Sequence, residues 1–260
     1  MRADVYLTVM GHTPSRKKAQ DLIDAGAVRI DGVSVKKSSA PINEQIPHEV
    51  VVEPIFKYVS RGGMKLEAAL DAFRIQVNHK SAVDVGSSTG GFTDCLLQRG
   101  ARSVVCIDSG VGQLHESLRA DSRVTVKEQF NARTMTAEDT NGLCDLAVMD
   151  VSFISQTYLI ERIAAVLKDG GEFVSLIKPQ FEAGKSALGK NGVVHSAAYR
   201  YLAVKRVLSC AFENGLDCIG LIRSPIEGGD GNKEYLAYMI KRSSLLPRLD
   251  DQTLRRITSL

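Results

Sequence analysis

Lys178 closes the apolar run Leu176-Ile177 directly before Pro179, and Asp150 closes another, Leu146-Ala147-Val148-Met149. A charged side chain ending an apolar strand is ordinarily a surface cap. In an open parallel sheet, however, residues just past the strand ends line a shared ligand crevice. An amine in such a crevice, desolvated and close to a second cation, is disfavoured in its protonated form, which suits it to take a proton from a weakly acidic hydroxyl. Lys65 is the candidate second cation, and Glu234, at the start of the last apolar run, is the candidate counter-charge. The expected division of labour makes Lys178 the general base. Asp150 orients its amine, and Glu234 balances charge or positions the acceptor.

The second chemical element is the stretch 82–92, AVDVGSSTGGF. A short apolar run ends in Gly86, and Gly90-Gly91 opens an amphipathic segment, the pattern of a strand, tight turn and helix. Glycines at such a turn let backbone approach a ligand closely. The spacing suggests a nucleotide-cofactor cradle with Gly86, Ser88 and Gly90 beneath the ligand and Asp84, Thr89, Gly91 and Phe92 completing it. Asp108 ends the next strand about 20 residues later, where an acid takes ribose hydroxyls. Asn131, past the third strand, either reaches an adenine or is a plain loop residue. GxGxxG spacing is missing, because Ser87-Ser88-Thr89 follows Gly86. That shifts the expectation from a nicotinamide cofactor to S-adenosylmethionine. After Asp150 there is neither an Asn/Asp-Pro-Pro-Tyr motif for nitrogen methylation nor a Pro-Cys pair for carbon methylation, and Cys144 lies at the wrong end of its strand. A hydroxyl acceptor remains.

The elements that must hold these residues alternate from Ser81 onward. VDVG, SVVCID, VTVKEQ, DLAVMDVS and EFVSLIKPQ are β-rich, and amphipathic segments such as 155–167 lie between several of them. Such alternation predicts a mostly parallel sheet covered on both faces. The last pair of runs, 218–224 and 234–240, is expected as an antiparallel hairpin. The expected fold over 60–242 is thus α/β, a Rossmann-like class I methyltransferase domain. Leu66, Ala69, Leu70 and Phe73 mark one helix face near its start, with Lys65 off the stripe.

Residues 2–53 read as a separate small α+β unit joined by a linker at 54–59. Thr13 is the expected helix N-cap with Pro14 after it, Ala19, Leu22 and Ile23 form the apolar face, and Gly26 ends the helix. Val28-Arg29-Ile30 and Val33-Ser34-Val35 flank Asp31-Gly32, a strong hairpin signal. Arg16, Lys17, Lys18, Arg29, Lys36 and Lys37 stand against only Asp21, Asp24 and Asp31. Cations in a first helical turn oppose the macrodipole and gain from a phosphate, so this is either an RNA-binding face or a solvated basic one. Further phosphate-contact candidates are Arg61, beside two glycines, and Lys185 and Lys190 in the Gly-rich stretch 179–195. That stretch is either a loop that closes over an RNA backbone or a surface connection. Residues 243–260 read as a polar tail with a short helix from Asp251.

Bulk properties exclude several classes. The chain has 33 Lys+Arg against 30 Asp+Glu, a net charge of +3, so affinity for nucleic acid has to come from local clustering. Five scattered cysteines without a CxxC pair predict buried free thiols, with neither disulfides nor a metal site. No stretch approaches the ~20 apolar residues of a membrane span, and the N-terminus lacks a signal-peptide pattern. The expected setting is cytoplasmic, without a membrane partner.

Three blocks carry a more specific signal. SRKKAQDLIDAGAVRIDGVSVKK resembles the small RNA-binding module named after ribosomal protein S-four. Lys65, Asp150, Lys178 and Glu234, in SRGGMKL, DVSFIS, KPQFEAG and GNKEYL, resemble the Lys-Asp-Lys-Glu tetrad of FtsJ/RrmJ-type ribose 2′-O-methyltransferases. With DVGSSTGGFTDCLLQRGA, the chain from about residue 2 to residue 242 resembles the TlyA (hemolysin A) family. That resemblance implies S-adenosylmethionine as cofactor and 2′-O-methylation of cytidines in 16S or 23S ribosomal RNA or both, within subunits or ribosomes. The chain departs from the family at Tyr58, where the family's linker carries Trp. Competing readings are an RNA-binding ribosome-assembly factor without catalysis, a haemolysin, which would need a membrane-inserting segment, and an NAD-dependent enzyme.

Overall fold

The computed structural model describes residues 1–24, 26–52, 57–228, 231–242 and 249–260. They form two compact units, Met1–Lys57 and Tyr58–Leu260. The linker positions 54–56 lie outside the described residues, and Tyr58 is already part of the second unit's core, buried with Leu66, Leu70 and Phe92.

In the first unit, helices α1 (Ala3–Val9) and α2 (Arg16–Asp24) accompany a three-stranded antiparallel sheet ordered β2-β1-β3. Its strands are β1 (Val28–Ile30), β2 (Val33–Ser34) and β3 (Val50–Val52). Ala19, Leu22 and Ile23 recur at helical spacing and are buried with Tyr6, Leu7, Val28 and Ile30. Asp31 and Gly32 both have positive φ, 52° and 77°, the two-residue turn whose twist matches paired strands. The cap of α2 differs from expectation. Ser15 Oγ accepts from Lys18 N at 3.2 Å, whereas Thr13 is buried and its backbone N–H donates to Leu7 O.

The second unit holds a seven-stranded sheet ordered β6-β5-β4-β7-β8-β10-β9. Strands β4 (Ser81–Val85), β5 (Ser103–Ile107), β6 (Val124–Lys127), β7 (Cys144–Met149) and β8 (Leu167–Ile177) are parallel. Strand β10 (Tyr235–Lys241) runs antiparallel to both β8 and β9 (Leu216–Arg223). Alternate residues serve opposite faces, as strand geometry requires. Val83, Val85, Ala147 and Met149 pack with Ile160 and Ile163 of α6 (Ile160–Val166) and Val204 and Val207 of α8 (Ala197–Glu213). Ala82, Leu146 and Val148 pack instead with Leu66 and Leu70 of α3 (Gly62–Ala72) and Leu96 of α4 (Gly91–Gln98). Each fully buried Leu or Ile contributes roughly 1.5–3 kcal/mol, so both faces anchor the strand ends firmly.

Two regions differ from the sequence reading. Helices α5 (Glu116–Arg119) and α7 (Pro179–Glu182) are short, and α7 and a 3-10 turn over Lys185–Ala187 interrupt the stretch expected to be one long loop. The last helix, α9 (Asp251–Ser259), begins at Asp251 as expected but is part of the second unit's core and not a separate tail: Leu254 is buried there, and Asp250 caps the helix by accepting from Thr253 N. Four cysteines are buried and all five are free thiols. Among the described residues no helix is long and apolar enough to cross a membrane.

Candidate active site

The chain leaves β4 to build β5 and β6 on one side and then returns to place β7 and β8 on the other. The ends of β4 and β7 therefore flank a topological switch point, where open α/β sheets bind ligands. Gly86 makes the close approach there. Its φ is +82°, and a Cβ would stand 2.5 Å from Asp150 O. Only glycine lets the two strand ends meet this way.

A cleft of about 530 Å³ opens beside this junction. Ile107, Phe130 and Leu159 form apolar wall, while Asp108, Gln113 and Asn131 offer polar groups. Asp108 is oriented by two backbone amides: Ser88 N donates to Oδ2 at 2.8 Å and Gly110 N to Oδ1 at 2.7 Å. The size, the glycine approach and the acid at the end of β5 fit an adenosine-bearing cofactor. A neighbouring cavity of about 350 Å³ is lined by Lys65, Lys178, Asp150 and Glu234, with Arg61, Thr89, Gly91 and Phe92 on its walls. Gly86, Ser88, Asp150 and Ser152 line both spaces.

Four of that cavity's charged side chains form two ion pairs. Lys65 Nζ stands 2.5 Å from Glu234 Oε2, with side-chain exposures of 11% and 3%. Lys178 Nζ stands 2.5 Å from Asp150 Oδ1, with exposures of 11% and 23%, and donates a hydrogen bond to Ser152 Oγ at 2.8 Å. Lys65 is thus paired with Glu234, the candidate counter-charge, and Lys178 with Asp150. Gly228 lies against Glu234, and a Cβ there would collide with Oε1.

Two residues expected in the cofactor cradle line neither space. Asp84 is fully buried behind the turn, where its Oδ2 accepts from Thr93 N at 3.0 Å and Thr93 Oγ1 at 2.7 Å. Burial pushes its carboxyl up to about 7, against the opposing Thr93 hydrogen bonds, and the charges of Asp150 and Asp108 add to the rise. It braces the start of α4. Gly90, with φ +94°, is packed against Leu114 and Leu118, and no side chain fits between. Asn131 lines the larger cleft but uses its Oδ1 to accept from Arg133 N.

The basic residues are dispersed. Arg16 donates to the buried carboxylate of Asp4, which also accepts from Arg2 and Gln20. Lys17 pairs with Asp21 at 3.0 Å. Arg29, Lys36 and Lys37 are exposed on the first unit and Lys18 is half-buried. Lys185 and Lys190 are exposed and line neither cavity, whereas Arg61 does line the smaller one. Ser152, Gln113 and Phe153 escaped sequence reasoning. Phe153 is 93% exposed with φ +63°, and its ring centroid lies 5.2 Å from that of Phe181. The only sequence signal for Ser152 and Phe153 was their place directly after Asp150; Gln113 follows a Gly-rich turn after Asp108.

Comparison with known proteins agrees with this architecture. Residues 58–241 match the family model described as FtsJ-like methyltransferase, and residues 1–45 match the S4 domain. A Mycobacterium tuberculosis protein named 16S/23S rRNA (cytidine-2′-O)-methyltransferase TlyA is 42% identical over 238 residues, covering 92% of this chain and 89% of the relative. Hemolysin A of Brachyspira hyodysenteriae is 42% identical over 241 residues, covering 92% and 100%. Among solved structures, a Streptococcus thermophilus chain described as a candidate hemolysin shares 38% identity at a TM-score of 0.78, covering 100% of this chain and 94% of that one. The chain belongs to the TlyA (hemolysin A) family, with an FtsJ-like methyltransferase unit following an S4 domain.

Proposed function

We propose that this chain methylates the ribose 2′-hydroxyl of cytidines in ribosomal RNA, with S-adenosylmethionine as donor. The observation that carries this reading is the sharing of Gly86, Ser88, Asp150 and Ser152 between the cofactor-sized cleft and the cavity holding both ion pairs. An acceptor in the second space meets a donor in the first across those residues. When bound, S-adenosylmethionine supplies an electrophilic methyl group.

The chain's own groups do the remaining work. Asp108 and Gln113 hold the cofactor's ribose, and Ile107, Phe130 and Leu159 exclude water from its base. Lys178 Nζ, once it has released its own proton to solvent, takes the proton of the acceptor hydroxyl as the methyl arrives, a step that general-base catalysis makes worth about 10²–10⁴ in rate. Asp150 and Ser152 aim that amine. The Lys65–Glu234 pair forms the opposite wall and fixes the acceptor ribose. Phe153 and Phe181 present an aromatic surface beside the cleft on which a base withdrawn from its helix can stack. Arg16, Lys17, Lys18, Arg29, Lys36 and Lys37 of the first unit and Arg61, Lys185 and Lys190 of the second contact phosphates. The name of the M. tuberculosis relative supports the choice of acceptor. Ribosomes place the activity in the cytoplasm.

The test is transfer of labelled methyl from S-adenosylmethionine to purified small subunits, large subunits and assembled ribosomes, followed by nucleoside digestion. A 2′-O-methylcytidine product that disappears in Lys178→Ala supports reaction, acceptor and base together. Cofactor binding without transfer to any particle would leave an RNA-binding assembly factor instead.

A further inference from the structure

Arg200, in α8, is 4% exposed and takes no part in the cavities described above. Among the described residues no carboxylate forms an ion pair with it. Its charge is felt nearby: burial first, then the charges of Arg200 and Arg223, hold Lys233 below the usual lysine range, with Glu227 opposing. A buried guanidinium without a counter-ion is costly unless its N–H groups are bonded elsewhere. Here they reach three separate segments. Nε donates to Tyr235 Oη at 3.0 Å and to Thr258 O at 3.1 Å. Nη1 donates to His195 O at 2.7 Å and Val194 O at 3.4 Å, and Nη2 to Ser259 O at 3.4 Å. Thr258 and Ser259 belong to the last turn of α9, whose carbonyls lack partners within the helix.

The segment that supplies His195 is held from its other side as well. Asn232, itself buried, accepts from Val194 N at 3.1 Å and donates to Gly192 O at 3.2 Å. Asn232 and Tyr235 bracket Glu234 in sequence, so the strand start that carries Glu234 is bonded to segment 192–195 both directly and through Arg200.

We infer that Arg200 is a positioning residue: it fastens segment 192–195 and the end of α9 to the start of β10, and so sets Glu234 against Lys65. The stretch carrying Lys190 is then a pre-formed guide that moves with the Lys65–Glu234 wall, so RNA contact and acceptor placement are one event. The inference rests on the methyl-transfer reading for the identity of the reaction.

Two mild variants test it. Arg200→Lys keeps the charge but loses the planar fork, and Tyr235→Phe removes one hydroxyl. Each would be measured for S-adenosylmethionine binding by calorimetry, for kcat and KM with ribosomal subunits, and for amide hydrogen exchange over 189–195 and 232–235. The expected result is unchanged cofactor affinity, kcat lowered roughly 10–100-fold by a misplaced wall, and faster exchange in both segments. A folded Arg200→Lys with unchanged kcat and unchanged exchange would reduce Arg200 to a stabilising cross-link and overturn the inference. Should Arg200→Lys fail to fold, Tyr235→Phe decides by the same readouts. Absence of transfer by the unsubstituted chain would remove the methyl-transfer reading, while the exchange rates would still decide whether Arg200 ties the two segments together.

Discussion

The two lysine–carboxylate pairs have the same 2.5 Å separation and face the same cavity, yet they are built differently. Lys178 and Asp150 end neighbouring parallel strands, Asp150 lines both cavities while Lys178 lines the smaller one, and the pair is more exposed on the Asp150 side. Lys65 and Glu234 come from a helix and from the start of an antiparallel strand 169 residues away, and Glu234 is nearly sealed, with Gly228 against it. An ion pair that water reaches can exchange protons and partners at little cost, whereas a sealed one holds geometry and suffers when halved. The difference assigns chemistry to the first pair and placement to the second.

The sharpest way to break that contrast is to compare Lys178→Ala with Lys65→Ala. Lys178→Ala is expected to lower kcat about 10²–10⁴-fold with S-adenosylmethionine affinity intact, as loss of a general base requires. Single-turnover methylation of ribosomal subunits measures it, and an equal loss in kcat from Lys65→Ala without any loss of stability would make the two pairs equivalent. Next in size is Glu234→Gln, which leaves Lys65 as a buried cation without its counter-ion and is expected to cost about 3 kcal/mol of stability in the second unit. Asp150→Asn, at the more open pair, should cost less than Glu234→Gln. Denaturant unfolding of the two variants side by side reads the difference directly.

A smaller effect is expected from Gly228→Ala. The added methyl meets the end of the Glu234 side chain, so Glu234 must shift away from Lys65. A roughly tenfold loss of kcat should follow without loss of cofactor binding, because misplacement of an acceptor wall acts on orientation. Thermal unfolding within a few degrees of the parent would show that the fold is intact.

Asp84 supplies the finest probe, because it lies behind Asp150 and responds to its charge. Its folded-state carboxyl titrates at about 7 against an ordinary value of 3.8. Between those values the folded protein holds a proton that the unfolded chain has lost. This group's contribution is therefore fully present below about pH 4 and is lost as pH rises through about 7. Asp84→Asn should flatten the decline of stability across that window in pH-dependent unfolding. Asp150→Asn should move the Asp84 midpoint downward, visible as a carboxyl carbon titration by NMR.

Much of this molecule could be read along the chain. The Asp31-Gly32 turn, the alternating strands, the closing hairpin and the glycine at the end of β4 are decided by conformational preferences and periodicities that act over a few residues. Lys178 and Asp150 could be placed together because parallel strands bring their C-terminal ends to one edge. Thr13, the cap expected from sequence, is buried instead, and Ser15 caps α2. The amphipathic helix α9 could be suspected from Asp251 onward, but its docking beneath α8 could not.

What only the tertiary structure decided is which charges neutralise which. The sequence by itself determined the types of the four residues in the cavity and the strand ends that carry two of them. It left open that Lys65 is spoken for by Glu234, that Asp84 and Gly90 brace the turn without lining the cleft, and that Arg200 and Asn232 hold segment 192–195 beside Glu234. The physical reason is common to all of these. Local pattern follows from backbone preference and the need to bury one face, while an ion pair or a bond to a distant carbonyl depends on where separate elements finally pack, and a carbonyl group is present at every residue and so marks none.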